Sequence, residues 1–420
     1  MPLQVMRSRL LLMPSYQKLG KACTLLIPRV FLRVFLFVSH LFIGNSALSE
    51  LKPYGIFDTG ISIVNTGSQD ILTVSSGTGT AARLGLRGHE VISDRLSSEF
   101  LLETFITMDD GSNYGLGQKL NRTLNSSIFI GLKHKSLIQN IDLLREFSIR
   151  LGKQRSVLHD KLYLYDPMRQ NLIGSPTGFN LYKMFYSRMI KIIGSFKTSH
   201  EKMTLKFMFS PGQQKQNSTD LNESSYFSND NRFPYGTWGT SMKWDSYPFS
   251  TKIGYQLEKM TTLNDQNHSL LAVFKYHFDK FILYGGYLER YPGVQNFFYN
   301  EINVKSHCWY LGASFNLARV LPWSRSNSSV YLSYARPYMK SKIIDSENLE
   351  PDFEKGYFAS QLGIALKKPL SKKSSIFFFA GKLINHGASQ FALQAIPFSI
   401  PAIFPGGDPS VVGFSINQRL

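Results

Sequence analysis

Asp58, Arg83, Arg87, Glu99, Glu103 and Arg150 each stand beside apolar residues: Phe57, Leu84, Leu86, Phe100, Leu102, Ile149 and Leu151. Charges of both signs that alternate with apolar side chains make no bonds; they build a hydrated wall that carries a field. Sites for covalent or metal chemistry are thin. Nine histidines are scattered without a His-Glu-x-x-His or paired-cysteine spacing, so no metal site is expected. His307 and Cys308 are adjacent, and alternation places them on opposite faces. Gly77-Thr-Gly79 and Gly115-Leu-Gly117 lack the strand-to-helix setting of a phosphate loop, and no Ser/His/Asp spacing recommends a hydrolase. Neither a catalytic residue nor a cofactor is expected.

The elements that position these charges read as strands. Ile56–Ile63 puts Phe57, Thr59, Ile61 and Ile63 on one face and Asp58, Gly60 and Ser62 on the other. Similar segments recur, with starts predicted near residues 52, 81, 97, 124, 144, 185, 202, 237, 249, 269, 281, 304, 328, 355, 374 and 410. Short links such as 93–95, 278–280 and 371–373 alternate with long polar ones at 68–80, 109–123, 155–184, 213–236, 261–268 and 337–354. After residue 50 no apolar run approaches the roughly 20 residues of a spanning helix. Sixteen strands, tight turns on one side and large loops on the other predict an antiparallel transmembrane β-barrel with short periplasmic turns and long external loops. A chain of β-sandwiches would alternate too, but residues 50–420 show no compositional break. Rings such as Tyr54, Phe129, Tyr255, Tyr276, Tyr284, Tyr310, Tyr331, Tyr334 and Phe358 fall within or near strand ends, where they suit interfacial girdles or ordinary core packing.

The first fifty residues read as an address. Arg7, Arg9, Lys18, Lys21, Arg29 and Arg33 precede an apolar core at 34–43 and the small residues Gly44-Asn-Ser-Ala47. That order predicts a signal peptide over 1–47, with the barrel over 48–420. The formal charge of +18 permits anionic partners, yet no basic helix or clustered patch suggests nucleic acid. Only Cys23 and Cys308 occur, so a disulfide framework is excluded.

Several segments resemble the trimeric general porins of Gram-negative outer membranes, particularly the betaproteobacterial type. Tyr54-Gly-Ile-Phe-Asp58-Thr-Gly60 resembles that family's opening strand. Arg83-Leu-Gly-Leu-Arg-Gly88 with Glu90 resembles the second, Phe100-Leu-Leu-Glu103 with Phe105 the third, and Ile128-Phe-Ile-Gly-Leu132 the fourth. Leu151-Gly-Lys-Gln154 resembles the end of the fifth, and Val412–Leu420 the closing strand, which in the family usually ends on an aromatic ring.

The resemblance implies an outer-membrane, water-filled channel for passive diffusion of ions and small hydrophilic solutes. It also implies a homotrimer, contacts with membrane lipid and lipopolysaccharide, and recognition of the C-terminal strand by the barrel-assembly machinery. Asp58, Arg83, Arg87, Glu99, Glu103 and Arg150 are then pore-lining. The third long loop folds inward, bringing His159, Asp160, Lys161, Asp166 and Arg169 to the constriction, with Asp160 and Asp166 facing the basic wall across a transverse field. The loop's slightly positive balance favours weak anion selectivity. A substrate-specific channel for sugar or phosphate, and an outer-membrane barrel enzyme, stay open as alternatives. The Pro-rich apolar run 391–404 is expected to pack in the barrel mouth or against a neighbour.

Overall fold

The computed structural model describes residues 49–108, 126–135, 144–170, 172–179, 184–198, 200–211, 236–259, 266–291, 301–321, 327–343, 354–394, 399–400 and 404–420. The leader assigned to 1–47 lies outside them. Alternation becomes strand after strand: β1 (Ser49–Asn65), β2 (Asp70–Ser76), β3 (Arg83–Val91), β4 (Leu96–Phe105), β5 (Ile128–Lys135) and β6 (Glu146–Arg155). Then follow β7 (Phe185–Lys197), β8 (Glu201–Pro211), β9 (Gly236–Ser246), β10 (Phe249–Lys259), β11 (Gln266–His277) and β12 (Phe281–Tyr291). The last are β13 (Glu301–Asn316), β14 (Ser329–Ile343), β15 (Glu354–Pro369), β16 (Ser374–His386), the two-residue β17 (Leu393–Gln394) and β18 (Ser399–Ile400), and β19 (Ser410–Arg419).

Neighbours pair antiparallel in sequence order, and β19 closes the sheet between β16 and β1, from Ile56↔Arg419 to Asn65↔Ser410. β2 and β3 lie one after the other along a single edge of β1, so they share one strand position. The closed barrel therefore has sixteen strand positions, as the alternation predicts. Closure matters because an open edge would leave backbone N–H and C=O groups without partners in hydrocarbon. One boundary differs from the sequence reading. The stretch 68–80, expected as an external link, contains β2 and the start of a turn, 77–82, that folds inward.

Strand parity separates two surfaces. Ile61, Ile63, Leu72, Leu151, Ile253, Leu311, Leu362 and Ile416 are exposed on the outer face, where Arg or Lys at the midplane would cost about 2–4 kcal/mol each. Aromatic pairs mark both margins of that face. Phe278 stacks on Phe281 at 4.4 Å beside the short turns, and Phe209 meets Trp238 at 4.3 Å beside the long loops. Tyr284, Tyr310 and Tyr331 depart from the girdle expectation: they point inward and are buried. The apolar core they join sits inside the barrel, because the link between β6 and β7 occupies part of the bore.

Candidate channel constriction

The bore-facing wall of β1 to β6 is a chain of neutralised charges. Tyr54 Oη donates to Glu103 Oε2 at 2.7 Å, and Ser126 Oγ donates to Oε1 at 2.7 Å. Arg83 Nε lies 3.5 Å from the same carboxylate. One turn of register away, Arg150 Nε binds Glu99 Oε1 at 2.6 Å while its guanidinium covers the Phe129 ring at 4.8 Å. Arg87 is exposed and lies 5.6 Å over the Tyr54 ring. Five of the six wall residues predicted from parity thus meet in two linked clusters.

Asp58 is the correction. It faces inward as parity requires, yet only 1% of it is exposed, because the 77–82 turn folds over it. Gly79 N donates to Asp58 Oδ1 at 2.9 Å, and Asn417 Nδ2 to Oδ2 at 3.2 Å. It ties the first strand to the last and does not line open water.

The inserted loop starts from a bulge. Gly152 has φ 132°, and a Cβ there would lie 2.2 Å from Ile128 O, so only glycine turns the strand end this way. Downstream, Val157, Leu158, Leu162, Tyr165, Met168, Leu172 and Ile173 are buried against the inner wall. Lys252 Nζ donates to the carbonyls of Leu158 at 2.6 Å and Asp160 at 2.7 Å. Tyr165 Oη bonds Ser250 Oγ at 2.8 Å, Tyr310 Oη donates to Tyr165 O at 3.0 Å, and Gln361 Nε2 donates to Ser175 O at 3.2 Å. These anchors run from β10 to β15, so the loop lies on that side and leaves the β1–β6 wall facing the bore. Phe391 meets Phe179 edge to face at 6.3 Å, and Leu393 is buried, so the described part of the 391–404 run packs on this loop inside the mouth.

The loop's acids do not do what sequence suggests. Asp160 Oδ2 accepts from Lys206 Nζ at 2.7 Å and lies 3.8 Å from Lys191 Nζ. Burial alone would raise its carboxyl, but Lys206 and Lys191 hold it well below the usual carboxylate range. Asp166 is fully buried and accepts from Ser175 Oγ at 2.5 Å, from Thr177 Oγ1, and from Met168 N at 2.7 Å. Both acids brace the loop instead of facing the wall, and His159 is buried with them. The exposed ions of this loop are Lys161 and Arg169. Around Lys161 burial first, then Lys206, draws the ammonium below the ordinary lysine value, a mark of a cation-dense setting. Sequence reading missed Lys191, Lys206 and Lys252; the signal was there, since each interrupts an otherwise strand-like segment on its inward parity.

Small inner-wall residues let the loop lie close. A Cβ at Gly381 would meet Ile173 Cγ2 at 2.2 Å, and one at Gly363 would meet Met168 Cε at 2.7 Å and Gly174 Cα at 2.8 Å. Gly363→Val is therefore expected to cost about 1–3 kcal/mol of overpacking and to lift the loop tip. Single-channel recording should show a larger, noisier conductance, with the barrel still migrating as a folded species on unheated gels. An unchanged conductance would contradict this placement.

A barrel apolar outside and charged within, part-filled by its own loop, is a hydrophilic passage through an outer membrane. Relatives agree with that class. Outer membrane porin protein 32 of Delftia acidovorans is 25% identical over 362 residues, covering 83% of this chain and 88% of that protein. The anion-selective porin from Comamonas acidovorans has the same fold, with TM-score 0.65 and 19% identity over 89% of this chain and all of that one. OmpF of Salmonella typhi, solved with daunomycin, gives TM-score 0.53 and 14% identity over 88% and 97%. No protein-family profile matches the chain. The chain is a homologue of the betaproteobacterial outer-membrane porins, a Gram-negative outer-membrane channel for passive diffusion of solutes.

Proposed function

We propose that this channel admits small hydrophilic solutes with a weak preference for anions, set at the gap between the inserted loop and the β1–β6 wall. One observation carries the reading: Asp160 and Asp166 are consumed in bracing the loop, so its exposed charges are Lys161 and Arg169. Opposite them, Arg83 and Arg150 are paired to Glu103 and Glu99, while Arg87 is exposed. At 0.1 M salt the Debye length is about 10 Å, so charges at the gap govern permeation and distant loop charges are screened. The similarity to an anion-selective porin points the same way. Purified protein in a planar bilayer under a KCl gradient should give a reversal potential of chloride sign; clear potassium preference would overturn the reading.

The channel acts as a diffusion pore and not as an enzyme. We further assign residues 1–47 to a cleaved leader and the working state to a homotrimer, supported by the basic, apolar, small-residue order of the first segment and by a trimeric Vibrio cholerae OmpT of the same fold. Lipid, lipopolysaccharide and the barrel-assembly machinery acting on β19 complete the proposed partners. N-terminal sequencing and native mass in mild detergent test both assignments: a start at Met1, or a monomer, would refute the respective one.

A further inference from the structure

We propose that the outer face of β13–β16 is a binding site for lipid A, the phosphorylated acyl lipid of lipopolysaccharide, with acyl chains in an apolar groove and a phosphate held by Arg336 and Lys382. The proposal takes its orientation from the outer-membrane placement. A groove of about 830 Å³ opens on this face, walled by Trp309, Leu311, Leu332, Leu362 and Ile364 and floored at Ala380. Register puts all of these on the lipid side, two residues out of phase with nothing: Trp309 pairs Arg336, Tyr334 pairs Leu362, and Leu362 pairs Lys382. An aliphatic chain fits such a channel in an otherwise convex apolar surface.

What lies at its loop-side end decides the occupant. Lys382 lines the groove itself, and Arg336 stands two residues beyond Tyr334 toward the long loops. Neither cation has a carboxylate within ion-pair distance among the described residues, whereas Lys305 nearby is paired to Glu289 at 3.0 Å. Arg336 is held in place: its guanidinium covers Phe358 at 4.9 Å, Phe358 stacks on His386 at 4.5 Å, and His386 Nε2 bonds Ser360 Oγ at 3.2 Å. Two cations over an apolar groove match an anionic headgroup over acyl chains. The long-loop end of a porin faces outward, where the lipid is lipopolysaccharide, so the complement is lipid A and not a glycerophospholipid.

The test uses full-length mature protein, delipidated in mild detergent and mixed with lipopolysaccharide or phosphatidylglycerol before native mass spectrometry. Wild-type protein should retain lipopolysaccharide at least fivefold more than phosphatidylglycerol. The R336E/K382E protein should lose at least fivefold of that binding at unchanged conductance and unchanged oligomer mass. Ala380→Trp, which fills the groove and leaves both cations, should lose it too. Equal retention of the two lipids would make this a general anionic-lipid surface and overturn the proposal. Full lipopolysaccharide binding by either variant, or a fall to monomer mass with binding intact, would also overturn it.

Discussion

Asp160→Ala protein should fold as a barrel but hold its loop poorly, with flickering conductance and a destabilisation of about 3–5 kcal/mol. The cause is the three ammonium groups left behind. Lys191 and Lys252 are 2% exposed and Lys206 is 7% exposed, and Asp160 is the only carboxylate that ion-pairs with Lys191 and Lys206 among the described residues. Removing one partner of a buried pair strands the other's charge, whereas removing both need not. Asp160→Leu combined with Lys206→Met should therefore recover part of the loss, and failure to recover would argue against the ion pair as the brace.

Acid should reach the same loosened state by another route. Asp160 has its folded pKa lowered, so its stabilisation is present above the ordinary aspartate value, about 3.9, and is lost only as pH falls through the lower folded value. Asp166 runs the opposite way. Burial raises its carboxyl despite the donors from Ser175 and Thr177, so any stability it adds is present at low pH and lost as pH rises through that value. Conductance noise that sets in only under strongly acidic conditions, and that is already present at neutral pH in Asp160→Asn, would identify Asp160 as the group responsible. Noise that appeared on raising the pH would point to Asp166.

Arg150→Glu should move selectivity furthest toward cations, by roughly threefold to tenfold in permeability ratio at 0.1 M salt. The substitution changes the wall by two charges and sets a second carboxylate beside Glu99. A unit charge about 5 Å from a passing ion is worth about 0.8 kcal/mol in water, before screening reduces it. The shift should shrink in 1 M salt, where the Debye length is about 3 Å. Lys372→Glu, an equal charge change in the exposed turn after β15, should leave the ratio unaltered. A comparable shift from Lys372→Glu would mean that selectivity is set by overall charge and not at the constriction.

Strand positions were legible in the sequence because a barrel wall enforces period two: hydrocarbon on one side, water on the other. β10, β12, β16 and β19 begin where alternation places them, and β7 begins at Phe185 as expected. What alternation does not encode is what covers an inward residue. Asp58 and Arg87 share an inward parity, yet a six-residue fold of the chain seals one and leaves the other wet. The loop was harder still, because it has no period of its own. Its charges could be counted, but their partners, Lys191, Lys206 and Lys252, sit on strands that are distant in sequence. A reader of residues 155–184 alone sees acids facing a pore, where the fold uses them as internal struts.

The bond from Asn417 to Asp58 joins residues 359 positions apart, and every backbone pair between β1 and β19 spans a comparable distance. Such contacts are the slowest kind to form, since nearly the whole chain must be in place before they can begin. Until then both terminal strands present bare edges, each a template for pairing with another chain. A channel built on this seam has no useful half-made state. Its synthesis therefore carries a long interval in which protection from aggregation decides the yield, and the closing strand converts a hazardous ribbon into a permanent vessel in one step.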